Sequence, residues 1–550
     1  MIYMSFKFRK GCLLFAVFSA ALVFAALTSS CRTPEQYKED ADNEVYKIIN
    51  EKWNDKFGIK ANYEIVNTEP NYTIIKEMVP SSGVLSLRDA VAIATKYSRD
   101  YQNQKESLYQ SALGLTLVRY NYARQWFGTV DVEYTRSFNP STEQEDDVLA
   151  ESSVGVSRTS IFSNGMRIGT SLAVDWARFL TGDPQTSLGS VLNATLEAPI
   201  LGAGAGKTAW ENLTQSERNV LYQVRNFNRY RQTFVTQIIS AYYAVLQQRE
   251  RVNISELSYN RLKDSTNRLN MEVEVGQRPQ YDADEAKQNM LDAENNLVSD
   301  KRNYAQVLDS FKIRLSIPTD ANITLDQNEL KALEQIGVGI LDFSEDEAIQ
   351  IALEQRLDLF NIRDELDDAS RQLALAAEGL GTQLNLNAGA NAASDAPTDF
   401  TRIQFNEGNY SIGASADLPF NRKAERNAYA RALIGFNQSQ RSYDDAVENV
   451  KLDVRAAYRN LAETAESYRI QKLSLELALR RNDRERLMLE YGQGTVRLLM
   501  ESEDAIVSAQ NSVMNALIAH IISKMNFYRD IGLLQVKPDG MWEQKTNGNS

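Results

Sequence analysis

The chain has 550 residues, with 60 Lys plus Arg against 73 Asp plus Glu, one histidine and two cysteines. A net charge of −13 argues against a nucleic-acid-binding surface. His520, Cys12 and Cys31 form no His/Cys metal constellation, so no metal site is expected; no catalytic or cofactor site and no enzymatic activity are expected of the chain either.

Residues 1–30 read as an export signal. Lys7, Arg9 and Lys10 precede an apolar run, Cys12–Leu27, that is short for a full membrane span. Leu27-Thr28-Ser29-Ser30-Cys31 resembles a bacterial lipobox, with Thr28 where leucine is usual. That resemblance implies a lipid on Cys31, which becomes the mature N-terminus. Without the three signal cations the charge is −16, and one cysteine leaves no internal disulfide. Residues 31–84 form an extension in which Asp40–Ile49 is expected to be helical. With Pro318–Ile340 and the tail 534–550, it is expected to wrap the middle of a longer body.

The segment 85–340 reads as helix, strands, long helix, turn and shorter helix. Leu85–Gln125 is the first helix. In Thr129–Thr135, Val130, Val132 and Tyr134 alternate with Asp131 and Glu133; in Leu192–Ala198 the alternation recurs. Such period-2 runs suit a strand with one oily and one wet face, in a membrane barrel or a half-buried soluble sheet. Two further runs, Ser153–Ser160 and Met166–Ala173, flank Ser163-Asn164-Gly165 and either extend the sheet or form a loop hairpin. Trp210–Val275 carries Val220, Val224, Phe227, Arg231, Phe234, Ile238, Ala241 and Val245 in steps of four and three. This is the 3.5-residue period of coiled-coil packing, in a helix roughly 100 Å long. A turn at Gly276 leads into the helix Tyr281–Ile317.

The segment 341–533 repeats this order. At an offset of 216, Ala241-Tyr242 meets Ala457-Tyr458, Gly276-Gln277 meets Gly492-Gln493, and Ser316-Ile317 meets Gly532-Leu533. At an offset of 258, Ala90-Val91 meets Ala348-Ile349. The 42-residue difference lies between Tyr101 and Ala241, so the first unit is longer in its middle. Alternating runs recur at Leu384–Ala390 and Tyr410–Leu418. A constant offset over such length means two copies of one structural unit. No other stretch reads as apolar enough for a transmembrane helix, so a spanning form would have to be a barrel.

Gly202-Ala203-Gly204-Ala205-Gly206-Lys207-Thr208 is a near miss to a phosphate-binding loop. The spacing needs glycine where Leu201 stands, and a 66-residue helix follows. The glycines suit a strand-to-helix passage better.

The duplicated order, Glu197-Ala198-Pro199-Ile200-Leu201-Gly202, Ala241-Tyr242-Tyr243 and the paired turns at Gly276 and Gly492 together resemble the TolC-type outer-membrane efflux proteins. The resemblance covers 85–533. It implies a mainly helical fold with a β portion: a long coiled-coil helical barrel, with four strands per chain closing a twelve-stranded barrel in a homotrimer. It implies an exit duct of a tripartite efflux or type I secretion system, in the outer membrane of a Gram-negative-type cell with its helices in the periplasm. Its partners would be outer-membrane lipid, a periplasmic adaptor and an inner-membrane RND or ABC transporter. The tips Gly276-Gln277 with Asp282 and Glu285, and Gly492-Gln493-Gly494, would meet the adaptor. Arg497, Glu501, Glu503 and Asp504, in the inner hairpin, are the gate candidates; acids early in a helix also suit its dipole. Asp284 accompanies Asp282. The competing reading is a lipid-anchored periplasmic coiled-coil tether without a pore; an NTP-hydrolysing enzyme rests only on the glycine loop.

Overall fold

The computed structural model describes residues 32–54, 57, 59–65, 83–123, 125–139, 144–162, 165–179, 186–201, 205–336, 339, 343–394, 402–418, 420–538 and 540–544. The signal segment, Cys31, residues 163–164 and the glycines at 202 and 204 lie outside them.

Helix α1, Pro34–Lys52, opens on a capping box in which Thr33 and Gln36 satisfy each other's backbone N–H groups. The extension is thus helical over a longer stretch than its centre suggested. Strand β1 (Val84–Leu85) leads into α2 (Leu87–Tyr97) and α3 (Arg99–Tyr122). The expected single helix is broken at Ser98, whose ψ of 130° is not helical. Four strands follow: β2 (Gln125–Asn139), β3 (Gln144–Ile161), β4 (Arg167–Phe179) and β5 (Thr186–Leu201). Then come the 70-residue α4 (Ala205–Glu274) and α5 (Gln280–Arg314). Strand β6 (Thr324–Leu325) pairs parallel with β1, and α6 (Asn328–Ile336) follows.

The second half runs α7 (Glu345–Gln355), α8 (Leu357–Glu378), β7 (Gln383–Ala393), β8 (Asn409–Asp417), α9 (Lys423–Glu490) and α10 (Val496–Asp530). A short hairpin, β9 (Leu534–Val536) and β10 (Trp542–Gln544), ends it. Boundaries recur at the offsets seen in the residues. Gln280 and Arg314 bound α5; 216 positions on, Val496 and Asp530 bound α10. The capping pair Ser86 and Asp89 is matched 258 positions on by Ser344 and Glu347, and the break at Ser98 by one at Arg356. Ser316 and Gly532 both hold a positive φ.

One expectation is corrected. The sheet has six strands, in the order β2-β3-β4-β5-β7-β8, not four. Both ambiguous runs became full strands, because each finds an antiparallel partner over most of its length. The two added strands, β3 and β4, fall where the first unit is longer.

A second correction concerns α10. By length and composition it is apolar enough to cross a membrane. The reason is packing: Met514 and Ile518 join the cluster around α4, Phe527 joins Val450 and Val454 of α9, and Leu499 and Met500 join Leu262. A helix that walls several clusters is apolar on most sides.

The α4 stripe is the core of the first half: Val220, Val224, Phe227, Arg231, Phe234, Ile238 and Val245 are all buried. The extension and tail converge on its middle. Arg231, 1% exposed, donates to Ile59 O (3.0 Å), Val536 O (2.8 Å) and Lys537 O (3.3 Å). Tyr242 donates to Leu85 O at 3.0 Å.

Candidate membrane sheet and helical tips

Strand register decides which residues share a face of the sheet. Across β4, β5, β7 and β8 it aligns Ile168 with Leu196, Ala388 and Ile412, and Thr170 with Ala194, Ala390 and Tyr410. Across β3 and β2, Val156 aligns with Leu172 and Gly128, and Val154 with Val174 and Val130. One predominantly apolar face therefore runs over β4, β5, β7 and β8, and β2 and β3 continue its register. The opposite face carries Ser157, Ser171, Asn193 and Asn391 in one row, and Thr159, Gly169, Thr195, Gly389 and Ser411 in the next. Asn391 donates to Asn193 at 2.5 Å. A Cβ on Gly169 would lie 2.6 Å from Thr195 Oγ1, so glycine makes room for the hydroxyl row.

On β4 and β8 the apolar face holds exposed side chains. Leu172 is 42% exposed, Tyr410 61% and Ile412 79%, and every residue of β8 is exposed. A soluble half-buried sheet would hide this row. At the sheet's base, Arg422 donates to Asp417 Oδ2 (2.8 Å) and Gly381 O (3.1 Å), pinning the end of β8 to the start of β7. Below it, α4 and α8 share a polar network: Tyr222 donates to Asp368 (2.6 Å), Arg225 to Asp364 (2.6 Å), and Arg371 to Glu211 (2.9 Å). Burial, then the bond to Asp368, pushes the Tyr222 hydroxyl pKa up. At the passage into α4, Lys207 is largely exposed and pairs with Glu378 at 3.7 Å.

At the far end the two hairpins turn alike. Gly276 (φ 76°) and Gly492 (φ 68°) adopt left-handed backbone that glycine alone takes without strain. The Gln277 N–H donates to Glu272 O and the Gln493 N–H to Met488 O, both at 2.9 Å. Gly494 is needed for space, since a Cβ there would stand 2.8 Å from Leu489 N.

The expected acids are brought to the tips, but with arginine partners that the sequence reading missed. Glu503 accepts from Arg261 of α4 at 2.8 Å, linking the two hairpins. Asp282, 8% exposed, sits 3.5 Å from Arg278, which also donates to Glu272 (2.6 Å) and to Leu489 O (3.2 Å) across the hairpins. Glu501 pairs with Arg497 one turn earlier (3.3 Å) and with Arg481 (3.9 Å). Arg497 thus pairs within its own helix. Asp504 is exposed at the surface of α10; partial desolvation first, then Glu503 and Asp292, holds its carboxyl above the usual range. Asp284 accepts from Gln280 at 3.2 Å, and the Glu285 carbonyl accepts from Asn289 at 3.0 Å. A groove of about 330 Å³ lined by Arg261, Arg268, Arg486, Met500 and Glu503 runs between the hairpins. The one legible signal for these arginines was the seven-residue spacing of Arg261 and Arg268 along α4.

No protein-family model and no curated protein matches the chain. Solved structures do. The structure of CusC, described with its transmembrane channel formation, aligns at 14% identity and TM-score 0.59, covering 81% of this chain and 92% of that one. The Campylobacter jejuni CmeC outer membrane channel aligns at 13% identity and TM-score 0.57, covering 90% and 93%. The open state of the Neisseria gonorrhoeae MtrE outer membrane channel aligns at 12% identity and TM-score 0.59, covering 83% and 90%.

Proposed function

We propose that this chain, which has the fold of those outer-membrane channels, is the outer-membrane exit duct of a tripartite efflux or type I secretion system. The observation that carries the reading is the apolar face left exposed at Leu172, Tyr410 and Ile412, backed by a polar row on the other face. Lipid on one side and a water-filled lumen on the other account for both. A tether has no use for such a sheet.

Among the described residues the sheet is open: β2 and β8 each have a strand neighbour on one side only. Unpaired strand edges are untenable in lipid, so copies must complete one another. The helices point the same way. Leu473 and Leu477 of α9, and Leu291 and Val298 of α5, are half or more exposed at coiled-coil spacings. Three copies, as the TolC-type resemblance implies, would bury these stripes between chains. The helical part then stands in the periplasm, with its tips toward an adaptor and an RND or ABC transporter that supplies the substrate. The Arg261–Glu503 and Arg278–Leu489 contacts act as latches that hold the two hairpins of one chain together at a closed tip. A lipid on Cys31 tethers the extension, while the barrel supplies most of the membrane affinity.

Purified protein in planar bilayers tests the reading. Discrete conductance steps from a cross-linkable trimer are expected. A monomer or dimer without conductance, released from membranes by Cys31→Ala, would establish the tether instead.

A further inference from the structure

We propose that the barrel of this protein has eighteen strands, so that its outlet is as wide as the helical tunnel beneath and takes solutes about twice as broad as a twelve-stranded outlet would. The inference rests on the duct reading and on its three copies, and it concerns the β2–β3 hairpin.

Three observations place that hairpin in the ring. The first is register: β2 and β3 continue the rows of β4, with Val130, Val154 and Val174 in line and Asp131, Ser153 and Asp175 in the alternate row. A hairpin folded away as a surface loop has no reason to keep the lipid and lumen faces in phase. The second is the turn between β3 and β4. Gly165 donates to Phe162 O at 2.9 Å, and Trp210 of α4 donates to the same carbonyl at 3.1 Å. The Trp210 ring lies 5.0 Å from that of Tyr122, the last residue of α3. The turn is thus seated between the tops of α3 and α4, on the rim of the helical tunnel. The third is parity. The six strands alternate in direction, so β8 of one copy meets β2 of the next antiparallel, and the ring closes without a parallel joint.

The circumferences agree. Strands about 4.8 Å apart and tilted about 40° each take roughly 6.3 Å of the ring. Eighteen give about 113 Å, whereas twelve give about 75 Å by the same spacing. Each chain brings four helix columns to the sheet, through α3, α4, α8 and α9. Three chains therefore set twelve columns at about 9–10 Å, or roughly 110–120 Å around. The two added strands let the tunnel run into the membrane without narrowing. After about 5 Å of side chain on each wall, the lumen is roughly 26 Å across rather than 14 Å. Where the rows of β4, β5, β7 and β8 align, its wall carries Asn193, Thr195, Asn391, Ser171 and Ser411, and one row nearer the helices Arg167 stands opposite Glu197.

The test pairs cysteines in a Cys31→Ser background. Thr129→Cys in β2 with Ser411→Cys in β8 is expected to yield a covalently linked trimer. Ser171→Cys in β4 with Ser411→Cys is expected to yield none. Polyethylene glycols of graded size, added from the outer face, should enter the parent channel up to about twice the diameter admitted by a variant lacking Gln125–Ile161. Linkage through β4 and β8 in a conducting trimer, or equal size limits in parent and variant, would overturn the eighteen-strand ring and leave the duct intact. Absence of both linkage and conductance would instead remove the duct reading and this inference with it. Should the shortened variant fail to assemble, the two cysteine pairs decide alone.

Discussion

Arg231 offers the sharpest perturbation of the helical body. It is 1% exposed and faces no carboxylate; its guanidinium is held by three main-chain carbonyls and the Asn228 side chain (3.1 Å). Burial lowers its pKa, so its charge is itself costly to bury. Arg231→Met removes that cost but strands the carbonyls of Ile59, Val536 and Lys537. Each unsatisfied buried acceptor costs about 1–3 kcal/mol. Water entering the gap and the relieved desolvation offset part of this, leaving a net loss of about 3 kcal/mol. At about 1.4 kcal/mol per tenfold, amide exchange in residues 534–537 and 59–65 should accelerate by roughly 100-fold. Hydrogen exchange read by mass spectrometry checks this, with the sheet as internal control. Arg231→Lys should recover little, because a single ammonium cannot span three carbonyls on two chain segments. Unchanged exchange in both segments, or full rescue by lysine, would refute the clamp.

Lys105 is 3% exposed, donates to Glu64 O at 3.2 Å, and has its pKa pushed down from 10.5 to about 8, chiefly by burial. Because the folded pKa lies below the unfolded one, stability should climb as pH rises from 8 to 10.5; Lys105→Met should be the more thermostable at pH 7, with the gap closing over that window. Gly494→Ala forces the Leu489 backbone to give way, at about 1–3 kcal/mol, and should raise protease cleavage at the inner tip. Glu503→Gln and Arg261→Ala each break a partly exposed tie worth about 0.5–1 kcal/mol; both should lengthen open dwell times in bilayers, and the double variant should add little to either. Neutralising Glu501, Glu503 and Asp504 together should open the channel more than neutralising Asp282, Asp284 and Glu285, where equal effects would deny the inner hairpin a special role.

Local periodicity determined much of this molecule before any contact was known. Steps of four and three produced α4 and α9, alternation produced β5, β7 and β8, and the offset of 216 carried the bounds of α5 onto those of α10. These features are set by neighbours a few residues apart, so they are written where they act. Tertiary structure decided what depends on a distant partner. The run around Ser153–Ser160 became β3 only because β2 and β4 offer hydrogen-bonding edges in register. Arg231, placed in an apolar stripe by its spacing, became a clamp only when residues 59 and 536 arrived beside it. Glu503 looked like a helix-start acid and became a tie because Arg261, 242 positions earlier, faces it across the hairpins. Periodicity specifies which face of an element is apolar; only packing specifies what stands opposite.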